Sequence, residues 1–145
     1  MIYKAVTLYQ PWAQAIFTMR DDGSGYIKAI ETRSWRNDYA GEMAIHAGKE
    51  FGGNKAEKLL ALDLARTWGF DPATMERSAV LGIVRIEKCW KFKAPPEEMA
   101  PERYRGIATG NYEPGRFGWK LRVIEKFVTP IPARGNRWLW NWNRP

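Results

Sequence analysis

The stretch FGWKLRVIEKF, residues 117–127, alternates apolar and basic side chains with a period of two. Successive side chains on a strand point to opposite faces. The pattern therefore predicts a strand with Phe117, Trp119, Leu121 and Val123 on a core face and Lys120, Arg122 and Lys126 on a basic one. Ile124 interrupts the basic row, and Thr129, Pro130 and Pro132 are expected to end the strand. A strand with one wet face needs partners, and the chain supplies them. IYKAVTL at 2–8 is β-branched and aromatic, and EMAIHA at 42–47 alternates so that Met43 and Ile45 share a face while His46 takes the other. AVLGIVRIEKCW at 79–90 reads as a further strand, with Gly82 marking a bulge or a close backbone approach, and 26–35 reads as an irregular one.

Helical signals are fewer. Gln10-Pro11-Trp12 opens a short helix in which Trp12 and Ile16, and Ala13 and Phe17, recur at helical spacing. Asn54 and Glu57 form a capping-box pattern, Leu60, Leu64 and Trp68 make an apolar stripe, and Gly69 supplies the stop. Asp71-Pro72 opens a shorter helical turn. Residues 93–116 hold four prolines and three glycines, a connection long enough to predict a binding loop or lid. Many strands and one good helix predict an α+β fold, a small mixed β-barrel flanked by short helices, sealed by Trp138, Trp140 and Trp142 on one face of a closing strand.

The 145 residues suffice for a single domain, 1–145, with a core of its own. One cysteine and one histidine exclude an internal disulfide framework and a Cys/His zinc cluster, and no cofactor or metal is expected. No apolar run of membrane-spanning length and no leader pattern is visible, so a soluble, cytoplasmic protein without membrane contact is expected. The net charge of +7 is unevenly placed: residues 1–102 carry 14 basic and 14 acidic side chains, and residues 103–145 carry nine basic and two acidic. Cations interleaved with Trp119, Trp138, Trp140 and Trp142 suit a polyanion whose bases can stack, although core tryptophans under a solvated basic surface give the same composition.

The densest polar cluster is Lys28-x-x-Glu31-x-Arg33. On a regular strand Glu31 and Arg33 share a face, and Lys28 points the other way unless a bend at 28–30 rotates it. Spacing alone equally describes a surface ion pair worth about 0 to 1 kcal/mol. The order Gln10-Pro11-Trp12-Ala13, Lys28-x-x-Glu31-x-Arg33-Ser34-Trp35, Ala44-Ile45-His46-Ala47-Gly48, a glycine-containing strand at 80–86, and Arg134-Gly135 with Trp138-Leu139-Trp140 resembles the ASCH domain family, named for activating signal cointegrator-1 homology, across nearly the whole chain. That family is similar to the PUA domains, a β-barrel with flanking helices. Its hallmark, G-x-K-x-x-E-x-R, is met at the three charged positions, while Tyr26 stands where the family has glycine.

The resemblance implies a cleft lined by the motif and a role in holding a base or nucleotide of RNA or single-stranded nucleic acid. Lys28 and Arg33, obligate donors, would meet a phosphate or base carbonyl, and Glu31 would accept from an exocyclic amine or hold its basic neighbours. Trp12 or Trp35 would stack a base, with Gln10 and His46 as further contacts and Lys120, Arg122, Lys126, Arg134 and Arg137 along the backbone. Each has a structural alternative: Trp12 in the core, Gln10 as a cap beside Pro11, His46 as a hydrogen-bonded strand residue. Family members also include small ribonucleases and enzymes that remove the acetyl group from N4-acetylcytidine, so fold and activity separate. The enzymatic alternative is a metal-independent RNase or an amidohydrolase acting on a modified nucleoside. Lys28 would be base or nucleophile and Glu31 proton shuttle, although the acetylcytidine hydrolases carry threonine at the position of Glu31. A protein-interaction module with an acidic partner is the third reading.

Overall fold

The computed structural model describes residues 1–93 and 109–145. Most of the 93–116 connection, including any lid it forms, lies outside the described residues. The elements run β1 (Ile2–Gln10), α1 (Trp12–Ala15), β2 (Ile30–Arg33), β3 (Gly41–Phe51), α2 (Lys55–Thr67), β4 (Ala79–Lys91), β5 (Phe117–Pro132) and β6 (Trp140–Asn143). The fold is a small α+β one: six strands make one mixed sheet in the order β2-β5-β4-β3-β1-β6, antiparallel except for the β1–β3 pair.

The sheet is open rather than a closed barrel. Among the described residues β2, four residues long, pairs only with β5, and β6 only with β1. The sheet nevertheless curls until its first strand comes within side-chain reach of its fifth, where Arg33 Nη2 donates to the Thr7 carbonyl at 3.0 Å. Each face carries its own core. On one, Val6, Leu8, Met43, Ile45, Val84, Ile86, Trp119 and Leu121 pack with Ala13, Ile16 and Phe17 from the α1 region. On the other, Ala5, Ala44, Val80, Ile83 and Phe127 pack with Trp142.

β5 serves both cores because its parity changes partway along. Val84 pairs with Val123 and Ile83 with Glu125, leaving Ile124 as an extra residue. Such a bulge sends subsequent side chains to the opposite face. Trp119 and Leu121 therefore join the first core and Phe127 the second, and Lys126 does not continue the row of Lys120 and Arg122. The strand runs through Thr129 and Pro130 and ends at Pro132, the last of the residues expected to end it. Beyond Lys120 no strand among the described residues pairs with the outer side of β5, and a proline on an edge costs no ladder hydrogen bond. Gly82 has no room for a side chain, because a Cβ there would lie 2.3 Å from the Glu125 carbonyl oxygen.

Asn54 caps α2 as its sequence predicts, accepting from Glu57 N–H at 3.0 Å, and the helix turns Ala61, Leu64 and Ala65 inward. Asp71-Pro72 forms a turn, closed by Asp71 Oδ1 accepting from Ala73 N–H at 3.0 Å, and not a helix. The three terminal tryptophans are not one row. Trp140 and Trp142 belong to β6, but Trp138 precedes it with φ +59° and is 62% exposed. Among the described residues no helix is long and apolar enough to cross a membrane.

Candidate functional site

β2 supports the charged motif. Lys28 lies before it, in a bend tied to α1 by its N–H donating to the Ala15 carbonyl at 3.1 Å. The bend takes Lys28 out of strand parity, so that Nζ lies 3.3 Å from Glu31 Oε1. The ammonium also donates to the Ile30 carbonyl at 2.8 Å and to the Thr109 carbonyl. Three acceptors around one ammonium use all its protons. Glu31 is equally committed: Oε1 also accepts from Thr32 N–H at 2.9 Å, and Oε2 accepts from Arg33 Nε at 3.1 Å and Nη2 at 2.8 Å.

Burial pushes the Lys28 ammonium below the ordinary lysine range, against the opposing attraction of Glu31. Burial pushes Glu31 upward. The charges of Arg33 and Lys28, with hydrogen bonds from Arg33 and Thr32 N–H, outweigh it and hold the carboxylate below its usual range. As arranged, neither Lys28 nor Glu31 has a proton or acceptor position left for a substrate. Arg33 differs. Its side chain is 25% exposed, it lies over the Trp119 ring with 5.9 Å to the centroid, and Nη1 has no partner among the described residues.

Arg33 opens into two adjoining clefts. The inner, of 450 Å³, lies between β1 and β2, and its wall includes Tyr9, Trp12, Thr32, Arg33, Asn111 and Arg116. The 109–111 backbone closes one side. Asn111 N–H donates to Thr32 Oγ1 at 3.0 Å, and a Cβ on Gly110 would lie 2.8 Å from that same oxygen. The outer cleft, of 760 Å³, shares Arg33 and Arg116 and adds Lys49, Arg134 and Arg137 with a single carboxylate, Glu50. Some cations elsewhere are paired, as in Arg122–Glu87 at 3.3 Å and Arg144–Glu125 at 3.0 Å. Lys49, Arg134 and Arg137 make no ion pair with any described residue.

The predicted residues divide accordingly. Lys28, Glu31 and Arg33 come together with Trp12 at the inner cleft, and Trp35, His46, Arg134 and Arg137 line the outer one. Gln10 is a fully buried connector: Nε2 donates to the Glu76 carbonyl at 2.8 Å and Oε1 accepts from Gln14 N–H at 2.9 Å. Lys120, Arg122 and Lys126 line neither cleft. His46 is 1% exposed, with Nε2 2.7 Å from the Ala133 carbonyl and Nδ1 3.1 Å from Thr7 Oγ1. A carbonyl at Nε2 requires the proton there, so Nδ1 accepts from the threonine hydroxyl. Burial holds this imidazole below the ordinary histidine range, with the Ala133 hydrogen bond opposing in part.

Sequence reasoning missed Arg116, Lys49 and Thr7, and it assigned Trp138 to packing with Trp140 and Trp142 after naming it among aromatics suited to stacking. Arg116 had a signal, being a cation at the end of the long Pro- and Gly-rich connection; Thr7 and Lys49 are ordinary residues of strands until the sheet curls. Among the described residues no group of three or more His, Cys, Asp and Glu side chains is placed to hold a metal ion. Neither a family model nor a curated protein matches the chain.

Proposed function

We propose that this chain is a nucleic-acid-binding module of the ASCH, PUA-like kind, holding a base or nucleotide of RNA or single-stranded nucleic acid in the inner cleft. The observation that carries this reading is the charge of the outer cleft, where Lys49, Arg116, Arg134 and Arg137 stand against Glu50 beside the Glu31-paired Arg33, while Glu31 and Glu57 balance the cations of the inner cleft. A phosphate-bearing ligand is the natural complement of such a surface, and guanidinium groups meet phosphate bidentately. The strongly curled sheet, with Arg33 bridging β2 to β1, supports the PUA-like reading of the fold.

Lys28 and Glu31 then serve to position Arg33 and the 109–111 backbone rather than to touch the ligand. Hydrolysis in the same cleft would first require releasing one of them from its partners, so the geometry favours binding over turnover. The test is fluorescence anisotropy with a labelled single-stranded oligoribonucleotide across a salt series, with an acidic peptide of equal length as comparison. Three phosphate contacts by Arg116, Arg134 and Arg137 predict a log-log slope near −2, from about 0.7 per phosphate on single strands. The variant R134E/R137E should weaken binding and flatten the slope. Absence of saturable RNA binding at low salt, or equal affinity for the acidic peptide, overturns the reading.

A further inference from the structure

Trp138 is exposed, lies outside any strand, and adopts φ +59°, a backbone region that costs a bulky side chain free energy and persists only where surroundings impose it. Burial does not compensate. Among the described residues the indole has one ring contact: Trp35 stands against it at 5.2 Å and 66°, and Trp35 itself stands against the buried Trp119 at 5.0 Å and 70°. The three rings form a line from the core to the surface. At its outer end Trp138 lines the same cleft as Arg134 and Arg137, which precede it on one short segment. That segment is pinned from beneath. A Cβ on Gly135 would lie 2.6 Å from His46 Cε1, and His46 Nε2 lies 2.7 Å from the Ala133 carbonyl.

We infer that the outer cleft is a second nucleotide subsite, in which Trp138 stacks the base next to the one held in the inner cleft and Arg134 and Arg137 hold the phosphodiester between them. The inference rests on the nucleic-acid reading and narrows it: the ligand is a linked oligonucleotide of at least two residues, not a free nucleoside. At 66° to its ring neighbour and 62% exposed, the indole keeps ring surface open to solvent. Guanidinium groups on the same segment would hold a phosphate's negative charge beside that surface. Both are what stacking platforms on single strands combine.

The test is calorimetric titration of the protein with ribonucleoside monophosphates, the matching homodinucleotides, and dinucleotides abasic at the second position. Stacking of about 1–3 kcal/mol corresponds to roughly a 5- to 150-fold gain of the dinucleotide over its abasic counterpart. W138A should erase most of that ratio, and W138F should restore much of it. Because the abasic comparison uses the wild-type protein, it stands even if W138A fails to fold. Dinucleotide and abasic dinucleotide binding equally well would overturn the second subsite while leaving the first. Failure of every oligonucleotide and mononucleotide to bind would overturn the nucleic-acid reading itself.

Discussion

Replacing Glu31 by glutamine keeps the side-chain volume and removes its charge, and the structure says why the fold cannot absorb the change. All four partners of the carboxylate are donors: Lys28 Nζ and Thr32 N–H at one oxygen, Arg33 Nε and Nη2 at the other. An amide has one acceptor oxygen, so its –NH2 must face a donor pair whichever way it is turned. The Lys28 side chain, 1% exposed, would also lose its counter-charge. Breaking a buried pair from one side costs about 3–5 kcal/mol. At about 2–4 °C per kcal/mol for a chain of this size, Tm should fall by roughly 6–20 °C. The effect has a pH signature. The folded state holds Glu31 below its usual range, so its contribution is complete above the unfolded value of about 4.3 and is lost as pH falls through the lower folded value. Denaturant unfolding of wild type and E31Q should show a gap that is widest at neutral pH and closes in acid. A gap under about 0.5 kcal/mol at pH 7, the size of an ordinary surface substitution, or one that persists in acid, would refute the reasoning.

The buried His46 should titrate below the ordinary histidine value, observable by imidazole NMR with the proton on Nε2. The unfolded chain binds that proton first, so stability should decline as pH drops below about 6.5 and level off beneath the folded value; titration at or above 6.5 would contradict this. Gly82→Ala sets a Cβ 2.3 Å from a backbone oxygen and 2.7 Å from the Phe17 ring, so the β4–β5 ladder must move. A loss of about 1–3 kcal/mol is expected from the denaturant midpoint, and an unchanged midpoint would show that the ladder yields freely.

Much of the sheet is legible in period-two patterns, and α2 in its cap and stop, because these depend on neighbours in sequence. What the patterns conceal is where parity breaks. Ile124 stands in the alternation as a mere interruption, yet it redirects Phe127 and Lys126, and only the pairing with β4 reveals this. The charged motif is visible as a cluster, but the role of Lys28 depends on the Thr109 carbonyl, 81 positions away. Donor saturation at that distance leaves no trace in spacing, and reading Lys28 as a ligand contact follows naturally from its residue type. Trp138 is the reverse case: its spacing from Trp140 and Trp142 matches a strand face, and a single left-handed residue removes it from the row.

The extra residue in β5 also bears on which insertions and deletions the chain can bear. Deleting one residue from a strand ordinarily turns every following side chain inside out. Between Val123 and Glu125 the ladder already spans two partners, Val84 and Ile83, with one residue to spare. Losing Ile124 would leave Glu125 opposite Ile83 and Phe127 on the face it now occupies. The bulge at Ile124 is thus a position at which the chain can shorten by one residue and keep both cores.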